Sequence, residues 1–140
     1  MRKQYHFRES ERGLLAWDVG KLIVLVSSIE SEGVPIDSLR ELDEPYWYGI
    51  GGERPTCRSI ADHMRLVRAS DLSYPIILSP DGRIMDGMHR VVKAALDGLT
   101  SIQAKRLAVL PDPDFVGMHP DELPYDEVQP FAPAGGFAAR

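Results

Sequence analysis

A single cysteine, Cys57, stands in a chain of 140 residues. One thiol excludes an internal disulfide and a multi-cysteine zinc site. Long apolar runs are missing too. The longest, Leu22-Ile23-Val24-Leu25-Val26, has five residues, against the roughly 18 that a membrane-spanning helix requires. The basic start Met1-Arg2-Lys3 turns polar at once, so no secretory apolar region is expected behind it and the cytoplasm is the expected location. Positive charge is also scarce: 16 Lys and Arg face 21 Asp and Glu, for a formal charge of −5. Tight nonspecific binding to DNA or RNA relies on many cationic contacts with phosphates, so this balance argues against a large nucleic-acid footprint and leaves room only for a local basic patch. Much of the acid lies after Leu110 (Asp112, Asp114, Asp121, Glu122, Asp126, Glu127), which leaves the preceding part closer to neutral. The histidines His6, His63, His89 and His119 form no i, i+4 pair, and no metal set is expected from them.

What remains is the composition of a globular domain, 44% hydrophobic and 26% charged, at a common size for one domain. The pattern predicts an α/β (α+β) fold, a small mixed sheet with packed helices. Val19, Leu22, Ile23, Val26 and Ile29 recur at helical spacing behind Asp18, a natural N-cap; their β-branched content also admits a strand. Residues 1–32 are therefore expected to be a helical extension packed on the domain. Val34-Pro35-Ile36-Asp37 reads as a short strand, which Pro35 places toward a sheet edge. One or two helical turns follow from Ser38 to Glu44. The stretch from Glu44 to Thr56, rich in Tyr, Trp, Gly and Pro, is a long loop. Loops of that length are either functional or mobile.

A helix is predicted from Thr56 or Ser59 to about Ser70, with Cys57, Ile60, Met64 and Val67 as its apolar stripe and Ser59 with Asp62 as a capping box. Pro75 to Ser79 is a strand, Pro80-Asp81-Gly82 a turn, and Arg83 to Asp86 the returning arm of a hairpin. Met88 to Leu96 is a helix expected to bury Val91, Val92, Ala95 and Leu96, with Gly98 as its C′ residue. Ser101 to Leu107 alternates as a strand. The domain is thus expected over 33–110, and 111–140 as a Pro-rich acidic tail, part packed and part disordered.

The chemistry concentrates at one junction, strand, glycine, helix: Arg83-Ile84-Met85-Asp86-Gly87-Met88-His89-Arg90. A helix start carries N–H groups without intrahelical acceptors and partial positive charge. Gly87 admits close approach to the backbone, and His89 and Arg90 add a titratable donor and a permanent planar cation. Together they suit phosphate. The same residues also make a plain turn with a solvated first helical turn.

The stretch Tyr74-Pro75-Ile76-Ile77-Leu78, then Gly82-Arg83-Ile84-Met85-Asp86-Gly87-Met88-His89-Arg90-Val91-Val92-Lys93-Ala94-Ala95-Leu96, resembles the core of the ParB/sulfiredoxin superfamily. Val34-Pro35-Ile36-Asp37-Ser38-Leu39 resembles the strand that opens ParB-like domains. The likeness covers roughly 33–107. It implies phosphate contacts by Gly87, Met88 (backbone), His89 and Arg90. It also implies a nucleotide or other phosphate-bearing small molecule as ligand, with a nucleoside triphosphate (ATP or CTP) and Mg²⁺ as the cofactors to test.

Departures narrow this reading. Sulfiredoxins carry a catalytic cysteine where Met88 stands, and a thioether cannot form their sulfur intermediate. ParB partition proteins continue into a helix-turn-helix domain, and here a Pro-rich acidic stretch is expected instead. The ParB-like free-serine kinases share an element much like Asp86 to Arg90. A phosphotransferase needs a base for the acceptor hydroxyl, and Asp86 and Glu53 are the catalytic candidates. Asp86 equally serves to fix the turn, and Glu53 equally reads as a solvated loop carboxylate. Thr56 and Arg58 read as nucleotide-pocket residues or as an N-cap and a surface cation. Tyr46, Trp47 and Tyr48 stack on a base or anchor the loop. A noncatalytic interaction module is the third alternative.

Overall fold

The computed structural model describes residues 3–49 and 52–125. The fold is α+β: three α-helices with a three-stranded and a four-stranded sheet among the described residues. In the smaller sheet β1 (Tyr5–Arg8) and β7 (Phe115–Val116) flank β2 (Leu15–Asp18), and both pairings are antiparallel. The larger sheet has the order β3 (Glu32–Pro35), β6 (Ser101–Arg106), β4 (Ile76–Leu78), β5 (Ile84–Asp86). Pro35 does sit on an edge strand, where its missing N–H costs no ladder bond.

The larger sheet is covered on both faces, which explains why β4 and β5 are apolar at every position rather than alternating. Ile76, Leu78 and Ile84 face α3 (Met88–Leu96) with Val34, Leu39, Val91, Ala94 and Ile102. Ile77 and Met85 face the other way, onto Trp17, Leu22, Val26 and Leu107. That second layer comes from β2 and α1 (Val19–Leu25), so the N-terminal segment completes the core.

Asp18 caps α1 through its side chain, which accepts from the Gly20 amide at 2.8 Å. The helix stops at Leu25 rather than Ile29. The expected helical extension is in fact a hairpin plus one short helix; its strands are four residues each, and β2 gains its second partner, β7, from nearly 100 positions away. Residues 111–125 pack back: Trp17 Nε1 donates to Pro111 O, Asp114 accepts from the Asp18 amide, and Leu123 is buried. The expected disorder of the remaining tail concerns residues outside those described.

The 44–56 connection is folded down onto α2 (Cys57–Ala69) and α3. This changes which face of α2 is buried. Ser59 and Val67 are buried and His63 nearly so, whereas Cys57 and Ile60 are exposed. Of the expected apolar stripe, Val67 is buried and Met64 half-buried, and Ser59 and His63 take the inward positions nearer the helix start. The N-cap is Thr56, accepting from the Ser59 amide at 3.1 Å, in place of the expected Ser59–Asp62 box. In α3 the buried residues are Met88, Arg90, Val91 and Ala94; of the residues expected inside, Val91 is buried and Val92 half-buried, while Ala95 and Leu96 are exposed. The helix ends as predicted on Gly98 (φ 73°), with Gly98 N–H bonding Ala95 O and Leu99 N–H bonding Ala94 O.

Candidate functional site

The strand–glycine–helix junction forms as expected, but its parts do different work. Arg90 is fully buried. Its Nη1 donates to Tyr74 O and Pro75 O, both at 2.7 Å, and its Nη2 meets Asp86 Oδ2 at 2.9 Å. The guanidinium thus ties the approach to β4, the end of β5 and the first turn of α3 into one unit. No surface of it faces solvent, so the expected phosphate contact by Arg90 is not available in this arrangement. Asp86, buried and ion-paired, is held in the same lock, which removes it from the role of an available base. Gly87 serves the lock as well. With φ at 111°, a Cβ there would lie 2.6 Å from Ile76 Cγ2 and 2.8 Å from Arg90 Nη2. The missing side chain makes room for neighbours of the chain itself.

Beside this lock lies a cleft of about 1220 Å³, bordered by the β1 strand, the 40–47 segment and the junction Asp86 to His89. The first-turn amides of Met88 and His89 have no intrahelical acceptor, and Gly87 has no side chain with which to cap them. Arg8, Arg40 and Arg83 line the cleft, along with Glu9, Glu41, Glu44, Asp81 and Asp86. Arg83 holds Glu44 in a bidentate pair at 2.9 and 2.5 Å, and this pairing depresses the Glu44 carboxyl and raises the guanidinium. Arg8 donates to His6 Nε2 at 2.9 Å and to Ser79 Oγ at 3.1 Å. Arg40 is exposed and makes one contact, to Asp81 O at 3.1 Å.

Two further groups colour the cleft. Glu41 is buried; its Oε2 accepts from the Ile84 amide at 2.6 Å, and its Oε1 has no partner among the described residues. Tyr46 leaves part of its ring in solvent, but its phenol end is enclosed. Burial, then the Glu41 and Asp86 carboxylates, push that phenol up to about 12.

The cleft wall continues into a chain of ring nitrogens. Glu53 Oε1 accepts from His63 Nε2 at 2.6 Å, and His63 Nδ1 lies 2.8 Å from His89 Nε2. Ser59 Oγ donates to Glu53 Oε2 at 2.8 Å and depresses the carboxyl, and Tyr48 OH lies 3.0 Å from Ser59 Oγ. Trp47 stacks on both imidazoles, its centroid 3.9 Å from that of His63 and 4.9 Å from that of His89. Burial, with His63 second, lowers His89 to about 4, so its imidazole is neutral at pH 7. Glu53 is therefore brought to the site, at second remove through His63. Thr56 is an N-cap and Arg58 is exposed; neither borders the cleft. Trp47 anchors the loop.

Sequence reasoning missed His63, Arg8, Arg40, Arg83 and Glu41. His63 carries the one available signal, its position four residues from both Ser59 and Val67 on α2. Among the described residues no group of three or more His, Cys, Asp or Glu is arranged to hold a metal ion. Neither the family models, nor the curated proteins, nor the solved structures yield a match to this chain.

Proposed function

We propose that this protein carries a ParB-like domain, in the cytoplasm, that binds a nucleotide, or another phosphate-bearing small molecule, in the cleft at the start of α3. The observation that carries the reading is the meeting of first-turn amides, His89 and three arginines on one cavity large enough for such a ligand. The resemblance of Asp86 to Arg90 to the superfamily's nucleotide-binding element supports it. The anionic end is received by the Met88 and His89 amides and by Arg40, with Arg8 and Arg83 behind it. Arg90 acts from beneath, by fixing the helix start.

Carboxylates outnumber arginines around the cleft, which favours a ligand whose negative charge is partly neutralised. A Mg²⁺-bound nucleotide meets that condition. Mg²⁺ is commonly held by one or two carboxylates plus phosphate oxygens, so the lack of a three-ligand cage does not conflict with it.

Isothermal titration with ATP, CTP and ADP, each with Mg²⁺, tests the proposal. Binding that weakens about tenfold in Arg40→Ala, a loss of about 1.4 kcal/mol, is the expected result. No heat of binding at millimolar nucleotide removes the reading.

A further inference from the structure

We propose that His89 is a general base for phosphoryl transfer from the bound nucleotide, oriented by His63 and Glu53 as positioning residues. This deepens the nucleotide reading and rests on it.

Three observations carry it. First, the ring nitrogens and the carboxylate line up at hydrogen-bonding distance. The Glu53 carboxylate only accepts, so His63 places its proton on Nε2. The relay takes His63 Nδ1 as the acceptor and His89 Nε2, 2.8 Å away, as the donor. His89 is left with an unprotonated Nδ1, and His89 borders the cleft. Second, the chain is held rigid. Trp47 lies against both rings, and Ser59 with Tyr48 fixes the carboxylate. Third, Glu53 is half exposed while His63 is nearly buried, so the negative end of the chain stays solvated. A carboxylate orienting an imidazole is the logic of a catalytic triad, in which the acid stabilises the imidazolium that forms. Here a second imidazole is interposed.

The step balances without an outside oxidant or reductant. A hydroxyl, of water or of a small alcohol, gives its proton to His89 Nδ1, and the O–H electron pair stays on oxygen. That oxygen forms a bond to the terminal phosphorus as the bridging P–O bond breaks, its pair leaving on the nucleoside diphosphate. The Glu53 charge favours the imidazolium, which returns its proton to water as product leaves. Burial and the neighbouring ring keep His89 unprotonated at neutral pH before the ligand arrives.

The test has two arms on the full chain. Long-range ¹H–¹⁵N correlation spectra of histidine-labelled protein at pH 7.5 read the tautomers directly, with no variant required. The expected result is Nε2–H on both His63 and His89; a protonated Nδ1 on His89 overturns the proposal. In the second arm, wild type, His89→Gln, His63→Gln and Glu53→Gln are given Mg·ATP or Mg·CTP, with water or glycerol as acceptor. Phosphate release or transfer at saturating nucleotide should fall about 10²-fold or more in His89→Gln. In Glu53→Gln the His63 tautomer should reverse along with the loss of turnover. Nucleotide binding with no turnover overturns the relay alone, whereas no binding overturns the reading beneath it as well.

Discussion

At the scale of single residues, Arg90 and Asp86 matter most for folding. Removing one member of a buried ion pair typically costs about 3–5 kcal/mol because it strands the other charge. Arg90→Ala and Asp86→Ala should each lower unfolding free energy by about that much, while the double variant should lose clearly less than their sum, as a coupled pair does. Chemical denaturation measures all three. Loss of nucleotide binding in Arg90→Ala would therefore report unfolding and not contact, which is why Arg40 is the informative position. Gly87→Ala belongs here too. It places a Cβ against Ile76 and Arg90 at positive φ, costing about 1–2 kcal/mol for the backbone and about 1–3 kcal/mol for overpacking.

The histidines give a pH dependence of defined sign. His89 is lowered to about 4 and His6 to about 3, both chiefly by burial, from 6.5. Between 6.5 and those values the unfolded chain binds more protons than the folded one, so stability rises with pH in that window. Stability should therefore begin to fall as pH drops below about 6.5, before the depressed carboxylates of Glu44 and Glu53 contribute. Denaturant midpoints measured from pH 8 to pH 4 in wild type and His89→Gln check this, the variant showing the shallower decline.

At the scale of elements, the sequence was informative where backbone chemistry and apolar content agreed. Pro80-Asp81-Gly82 made the hairpin turn, Gly98 ended α3 and Pro35 marked an edge, each for a reason that depends on the residue alone. The faces of α2 and α3 were legible only in part, at Val67 and Val91. On α2 Ser59 is buried and His63 nearly so, because the loop before the helix supplies Glu53, Tyr48 and Trp47 as their partners. On α3 the residue that looked most suited to meet a ligand is buried, because Asp86 four positions earlier and two carbonyls near Pro75 pair it. A charge pattern along a sequence does not reveal partners brought from another element. Glu53 was found for the right neighbourhood, but its contact is His63, which read as an ordinary helical histidine.

At the scale of the whole molecule, the N-terminal hairpin and the 111–125 segment are one assembly. β2 lies between β1 and β7, and Trp17, Asp18 and Lys21 are held by Pro111 and Asp114. Removing residues from 111 onward should thus destabilise the fold and open the face over Ile77, Met85 and Leu107, with a lower thermal midpoint and a gain in hydrophobic-dye binding. No helix among the described residues is long and apolar enough to cross a membrane. The cleft depends on this same assembly, since β1 forms one wall of it and the α3 start another.

The nucleotide reading places the ligand at a named backbone, and amide spectroscopy tests that placement directly. Titration of ¹⁵N-labelled protein with Mg·ATP and Mg·CTP should move the amide resonances of Met88 and His89 first, together with the Arg40 side chain. Saturating shifts confined to other surfaces, or none at millimolar nucleotide, would contradict it.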